Sequence, residues 1–191
     1  MFCNKNRVNW DDFDGLRETV KSLVKEKRYT HILGVEEESV KIAGIFECGE
    51  DFIKKLKSAA FLHDITKEFG VEKYFEIFDR YNINLSEDEK KAEWSLHAKA
   101  GAYIAKFEFG ADGVIFDAIY NHTDISDLSK SPGLFNKILH LADWIEPNRE
   151  DQRCIDIREH FYSQIEKAET LEQKYKILDE TIFVFVYNLY L

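Results

Sequence analysis

Apolar residues recur at helical spacing along nearly the whole chain, and this pattern constrains the fold more than any other feature. In the first predicted helix, residues 11–27, Phe13, Leu16 and Val20 share one face with Leu23. Only two prolines and nine glycines occur among the 191 residues, which argues against a turn-rich β architecture. The pattern therefore predicts an all-α helical bundle without a β-sheet.

Local start and stop signals divide the rest of the chain into further helices. Ser86 begins the capping-box sequence S-E-D-E, and Asp112 is a second candidate cap. Gly110 and Pro147 each end a predicted helix. The segment 124–133 is predicted to be a loop. The predicted helices are 29–46, 51–62, 71–81, a short one after Ser86, 95–109, 112–121, 132–145, 150–168 and 170–190.

Length and charge limit the class of protein. The 191 residues suit a single domain over 1–191, with motifs at about 28–150 and two closing helices over 151–191. The net charge of −10 repels a phosphate backbone, so a long nucleic acid is not expected as a partner. A small nucleotide remains compatible with this charge, because bound metal ions can dominate the local field.

The chain also lacks the sequence signals of membrane or secreted proteins. The apolar stretch IFVFVYNLYL near the C-terminus is far shorter than the roughly 20 residues of a membrane span. It is interpreted as the core face of the last helix, with an edge strand as the alternative. No apolar signal region is seen at the N-terminus, and three scattered cysteines indicate reduced thiols. We expect a cytoplasmic protein with no membrane partner; a homodimer is one oligomeric state that the sequence allows.

Histidines and aspartates at the edges of different predicted helices are the best candidates for chemistry. His63 and Asp64 close the apolar run KSAAFLHD, where a charged aspartate carries a desolvation cost unless it has a partner such as a metal ion. By itself, such a pair is more often a helix cap beside a surface histidine. Other predicted helices supply four more candidates, so a bundle can direct all of them at one interior point. These four are His31, His97, His122 and Asp143. Imidazole and carboxylate ligands without cysteine suit iron, manganese or zinc.

These residues lie in five short sequence motifs: RYTHILGVEEESVKIA, AAFLHDITKEF, LHAKAGAYIAKFEFG, AIYNHT and ILHLADWIEPNR. Their order, H…HD…H…H…D, and their flanks resemble the YqeK-type branch of the HD-domain metal-dependent phosphohydrolases over about residues 28–150. The resemblance implies an all-α HD-domain helical bundle in a bacterial cytoplasmic protein. It also implies a two-metal centre, described in that family as iron, and symmetrical hydrolysis of diadenosine tetraphosphate to two ADP.

The resemblance further implies a ligand set. His31, His63, Asp64 and Asp143 would bind one metal ion, and His97 and His122 would bind the second, with Asp64 bridging. Two ions roughly 3.5–4 Å apart can stabilise both the attacking and the leaving oxygens of a phosphoryl transfer. Cations must then neutralise the remaining phosphate oxygens. Lys67 stands three residues after Asp64, one helical turn on if the helix continues. We expect Asp64 and Lys67 to be catalytic, and Arg28, Lys67 and Arg149 to contact the substrate.

Several alternatives stay open at this point. The same ligands would serve a hydrolase of another nucleotide or phosphate ester, or a sensor that binds a nucleotide or a metal without turnover. A purely structural bundle would require all six positions to be coincidental. His140 could orient a ligand or simply pack, and the run from Glu36 to Glu38 is interpreted as a solvated helix face. The acidic loop from Asp124 to Asp127 departs from the family pattern and bears on substrate preference.

Overall fold

A computed structural model describes residues 13–124 and 133–186, with side chains described up to Phe183. Ten α-helices lie in these ranges, and none of these residues forms a strand. The helices are α1 (Phe13–Leu23), α2 (Glu26–Ile45), α3 (Glu50–Leu62), α4 (Val71–Arg80), α5 (Glu87–Lys91), α6 (Glu93–Ile104), α7 (Gly113–Asn121), α8 (Leu134–Ile145), α9 (Gln152–Ile165) and α10 (Leu171–Glu180). The predicted all-α fold is confirmed.

The helix ends follow the predicted local signals. Ser86 forms the capping box with Glu89, and the Asp112 side chain accepts from two backbone N–H groups at the start of α7. The α6 helix continues as a π-helical segment, Ala105–Phe109, which ends at Gly110 with a φ of 77°. A positive φ of this size costs glycine little, which explains the stop.

Both predicted closing helices are shorter than expected. They begin at Gln152 and Leu171, and α10 passes into a π-helical segment, Thr181–Val186. Helix α8 begins at Leu134, so the predicted first-turn residue Pro132 lies outside the described residues. The division into a motif region and closing helices stays a prediction.

One central group of helices positions the candidate residues. Helix α2 packs against α3 and α8, α7 packs against α3, α6 and α8, and α9 packs on the outer side of α8. Buried side chains from five helices fill the space between them, among them Ile32, Phe61, Leu96, Ile119 and Leu139. Gly101 lets α6 lie close to the turn after α3, because a β-carbon there would be only 3.3 Å from the Thr66 hydroxyl oxygen.

The glutamate run on α2 is not a solvated face, as the sequence had suggested. Glu37 is exposed, but Glu36 and Glu38 are buried. Glu36 pairs with Arg17 at 3.2 Å and with Lys57 at 3.1 Å. Glu38 accepts a hydrogen bond from the Tyr162 hydroxyl. Partners on other helices therefore offset the cost of burying these two carboxylates.

No helix among the described residues combines the length and the apolar character that a membrane crossing requires. Cys48 and Cys154 are both free thiols, and Cys3 lies outside the described residues. The acidic loop from Asp124 to Asp127 also lies outside the described residues, apart from Asp124 itself.

Candidate active site

The six residues predicted to bind metal come from five parts of the bundle that contact one another. They are His31 in α2, His63 and Asp64 directly after α3, His97 in α6, His122 directly after α7, and Asp143 in α8. Five of them are buried, and the side chain of the sixth, Asp143, is 15% exposed. The fold therefore brings together every residue of the predicted set.

Asp64 lies at the centre of this cluster, with its two oxygens turned to different histidines. Its Oδ1 is 3.3 Å from Nε2 of His97 and 3.5 Å from Nε2 of His122. Its Oδ2 is 3.7 Å from Nε2 of His31 and also 3.7 Å from Nε2 of His63. Asp143 Oδ1 lies on the second side, 3.0 Å from Nε2 of His31 and 3.8 Å from Nε2 of His63. One carboxylate thus separates two histidine pairs.

Two of these histidines are oriented by the helix ends that they follow. His63 and His122 occupy the C-cap positions of α3 and α7. Their Nδ1 atoms lie 2.7 Å from the carbonyl oxygens of Ala60 and Ile119, three residues earlier. A carbonyl oxygen can only accept, so each ring donates through Nδ1 and keeps the Nε2 lone pair for another ligand.

The donor atoms suit a metal ion. His63 Nε2, His122 Nε2 and Asp64 Oδ1 are buried and have no hydrogen-bond partner among the described residues. Leaving such atoms unsatisfied is costly, and a bound cation would satisfy all three. Three groups of donor atoms lie within 4.8 Å of one another: His31, His63 and Asp64; His63, His122 and Asp143; and Asp64, His97 and His122.

Burial and neighbouring carboxylates give the histidines different proton affinities. Burial lowers the pKa of His63 to about 3, so this ring is neutral. Burial also acts to lower the pKa of His31, but hydrogen bonds to Asp143 and Glu146 raise it to about 9. A metal ion at His31 must therefore displace a proton. Burial acts to raise the pKa of Asp64, but its contacts with His63, His122 and His97 hold that pKa well below its usual range.

The predicted phosphate contacts border the cluster and already pair with its members. Arg28 donates to Asp64 Oδ2 at 2.5 Å, and Arg149 donates to Asp143 Oδ1 at 2.8 Å. Lys67 Nζ lies 2.9 Å from His97 Nε2. The sequence placed Lys67 one turn after Asp64 if the helix continued. Helix α3 instead ends at Leu62, and a hydrogen bond from the Lys67 N–H to the Asp64 carbonyl closes a turn.

Comparison with known proteins identifies the family. A family model described as HD domain matches residues 28–179. The chain belongs to the HD-domain family. An HD domain implies dependence on divalent metal ions, and the clusters above are where this chain can hold them.

Relatives of this HD-domain chain are found among bacterial proteins. It is 37% identical to a Bacillus subtilis protein named symmetrical bis(5'-nucleosyl)-tetraphosphatase, over 68% of the chain and 67% of that protein. It is 28% identical to a Staphylococcus aureus protein of the same name, over 89% and 83%. A Clostridium acetobutylicum crystal structure described as a predicted HD superfamily hydrolase involved in NAD metabolism superposes with a TM-score of 0.66, at 25% identity, over 89% of this chain and 96% of that one.

Sequence reasoning missed one residue of the HD-domain site, Glu146. It is buried, its Oε1 lies 3.1 Å from His31 Nδ1, and its Oε2 accepts from the Asn148 backbone N–H at 2.6 Å. A carboxylate on Nδ1 fixes the tautomer of a metal-binding histidine and raises its basicity. The available signal was the one used for Asp64: a glutamate at the end of an apolar helix, directly before Pro147.

His140 is also buried, and its Nδ1 lies 2.6 Å from the His122 carbonyl oxygen. It therefore contacts the backbone of a candidate ligand. The sequence had left open whether His140 orients a ligand or packs. Its contact is with the turn at His122, whereas Asp143, one helical turn further along α8, faces His31.

Replacing Gly34 by alanine is expected to weaken metal binding without unfolding the protein. A β-carbon there would lie 2.2 Å from Glu146 Oε2 and 2.8 Å from the Asn148 side-chain nitrogen. Both are ends of side chains, so Glu146 would move away from His31. Loss of such a supporting contact typically costs about 10- to 100-fold in metal affinity or activity. Metal titration with thermal unfolding measures the effect.

Gly44 provides the matched control, since it lies in the same helix and a β-carbon there meets nothing within 4 Å. We expect Gly44→Ala to bind metal like the unmodified protein. Equal metal affinity in the two variants would refute the positioning role of Glu146.

Two openings are lined in part by the candidate metal-binding residues. The first, called here the indole pocket, has a volume of about 300 Å³ and is lined by Lys67, Trp94, His122, Thr123, Asp143, Trp144 and Arg149. The second, called the charged cleft, has a volume of about 740 Å³ and is lined by Lys27, Arg28, Thr30, His31, Glu68 and residues 146–151. Arg149 borders both, so the two openings meet beside Asp143.

Proposed function

We propose that this protein hydrolyses dinucleoside tetraphosphates, and diadenosine tetraphosphate symmetrically to two ADP. The observation that carries the proposal is the position of Asp64, whose two oxygens face separate histidine pairs. This arrangement suits two neighbouring divalent ions, which can together stabilise the attacking and leaving oxygens of an in-line displacement at phosphorus. The names of the Bacillus subtilis and Staphylococcus aureus relatives support the choice of substrate.

The proposed ligand set divides at Asp64. His31, His63 and Asp143 would hold one ion, and His97 and His122 the other, with Asp64 shared between them. Such ions supply positive charge to the phosphate oxygens and lower the pKa of an attacking water. We propose iron as the metal, as the family resemblance implies; imidazole and carboxylate ligands without cysteine suit iron, manganese and zinc alike.

Three cations would bind and orient the polyphosphate. Lys67 and Arg149 line the indole pocket, and Arg28 and Arg149 line the charged cleft. The guanidinium groups keep donors beyond those paired with Asp64 and Asp143, and planar donors suit phosphate oxygens. Lys67 must leave His97 Nε2 when that atom binds a metal, which frees its ammonium group for a phosphate. Asp64 and Lys67 are therefore the proposed catalytic residues.

The proposed reaction adds one water across the central phosphoanhydride bond. The water oxygen bonds to the β-phosphorus of one half, and the bridging oxygen leaves with the other half. Each half ends as ADP. A cytoplasmic location and a homodimer are further predictions that belong to this proposal.

Turnover of diadenosine tetraphosphate by protein purified without oxygen and supplied with iron tests the proposal. We expect ADP as the sole nucleotide product, with no activity after chelation. ATP plus AMP would contradict the symmetrical mechanism. Bound metal without turnover would contradict the proposed function and favour another phosphate ester or a sensor role.

A further inference from the structure

We infer that the indole pocket binds one nucleobase of the substrate by stacking, while the other half of the substrate lies in the charged cleft without a stacked base. This inference rests on the proposed function, since it assigns the two ends of the same substrate. It makes Trp94 a specificity-determining residue of an asymmetric site.

The inference rests on the exposed indole of Trp94, because this exposure has no role in the fold. Its side chain is 53% exposed, although burying a tryptophan is among the most favourable packing contacts available. It has no hydrogen bond or ring contact with the other residues that the structure describes. It lies in α6, three residues before His97, and therefore on the same side of the helix as that candidate ligand.

The remaining walls of the pocket suit a nucleotide. His122, Asp143, Lys67 and Arg149 form its charged part at the metal cluster, and Trp94 and Trp144 provide its aromatic surface. Thr123 also lines it and has a buried hydroxyl oxygen without a hydrogen-bond partner among the described residues. Phosphates at the cluster and a flat aromatic base against an indole would match this distribution. The volume of about 300 Å³ admits one nucleoside but not two.

The charged cleft differs in its lining. Its described lining is Lys27, Arg28, Thr30, His31, Glu68 and residues 146–151, and its one aromatic ring is that of His31, a proposed metal ligand. It can hold phosphates and a ribose through charge and hydrogen bonds, but it has no tryptophan, tyrosine or phenylalanine for stacking. A base at this end should therefore contribute little to binding.

The difference between the two openings predicts which compounds the protein should cleave with similar kcat/KM. Adenosine 5'-tetraphosphate keeps the stacked base and lacks only the base that would lie in the charged cleft. It should be cleaved to ADP and pyrophosphate with a kcat/KM within about tenfold of that for diadenosine tetraphosphate. Loss of a stacked base would typically lower kcat/KM by that factor or more. Inorganic tetraphosphate has no base and should have a KM raised about 10- to 100-fold.

Trp94→Ala tests the aromatic contact with these three compounds. We expect KM for both adenine substrates to rise about 10- to 100-fold while kcat and the parameters for inorganic tetraphosphate stay unchanged. Trp94→Phe should restore most of the loss, and the quenching of tryptophan fluorescence by ADP should weaken in both variants. Phe107→Ala is the control, because Phe107 is 50% exposed, follows α6 and lines neither opening.

Two results would overturn the inference. One is an unchanged KM for the adenine substrates in Trp94→Ala; the other is a kcat/KM for adenosine tetraphosphate that falls far below that for diadenosine tetraphosphate. If the unmodified protein cleaves none of the three compounds with metal bound, the proposed function fails, and this outcome is distinct from both.

Discussion

Replacing Asp64 by asparagine is expected to remove both the metal pair and the activity. Asparagine has nearly the same size, but it lacks the charge and presents only one oxygen, whereas each oxygen of Asp64 faces a different histidine pair. Both proposed sites would lose a ligand at once. We expect metal content to fall to one ion or fewer per chain. Turnover should fall about a thousandfold or more, which corresponds to the several kcal/mol that metal ions contribute to such reactions.

Asp88→Asn is the matched control, because the Asp88 side chain is 99% exposed on α5. It should keep the metal content and turnover of the unmodified protein. Thermal unfolding of the metal-free Asp64→Asn variant separates loss of metal from loss of fold. A variant that keeps two ions and normal turnover would refute the bridging role of Asp64.

The sequence could propose the candidate ligand set, because some of its members carry a local signal and the family resemblance implies the rest. Asp64 is a charge directly after a buried run, and His63 and His122 stand where helices end. Gly110 and Asp112 mark a helix stop and a helix start through backbone preferences that act within a few residues. Features determined by neighbours in the chain could therefore be predicted without the fold.

Features determined by distant partners could not. Glu38 resembles its exposed neighbour Glu37 in sequence, and its burial depends on Tyr162, which is 124 residues away. Glu146 supports His31 across a separation of 115 residues, and Gly34 provides the space for its carboxylate. No local pattern encodes these contacts, because packing between helices creates them.

The position of Lys67 is also determined by a residue distant in the sequence. Its approach to His97 depends on how α6 packs against the turn after α3, and the distance is 2.9 Å from Nζ to Nε2. The sequence predicted a phosphate contact from the spacing to Asp64 alone. The structure adds that the ammonium group lies at the histidine nitrogen that the proposed metal ion would use.

Lys67→Met is therefore expected to lower turnover while leaving metal binding intact or stronger. Methionine keeps much of the side-chain length but removes the charge that would neutralise a phosphate oxygen as the bond breaks. Loss of one such donor typically lowers kcat by about 100- to 1,000-fold. Steady-state kinetics with metal analysis measures both quantities on one preparation.

The two measurements together discriminate between the roles that Lys67 can have. A fall in kcat at full metal content identifies a group that acts in the transition state, and Lys67→Arg, which keeps the charge, should recover part of it. A rise in KM alone would limit Lys67 to ground-state binding. Lys176→Met is the control, because Lys176 is 75% exposed on α10. Unchanged kinetics in Lys67→Met would exclude Lys67 from the reaction, and Arg28 and Arg149 would then be the remaining cations at the cluster.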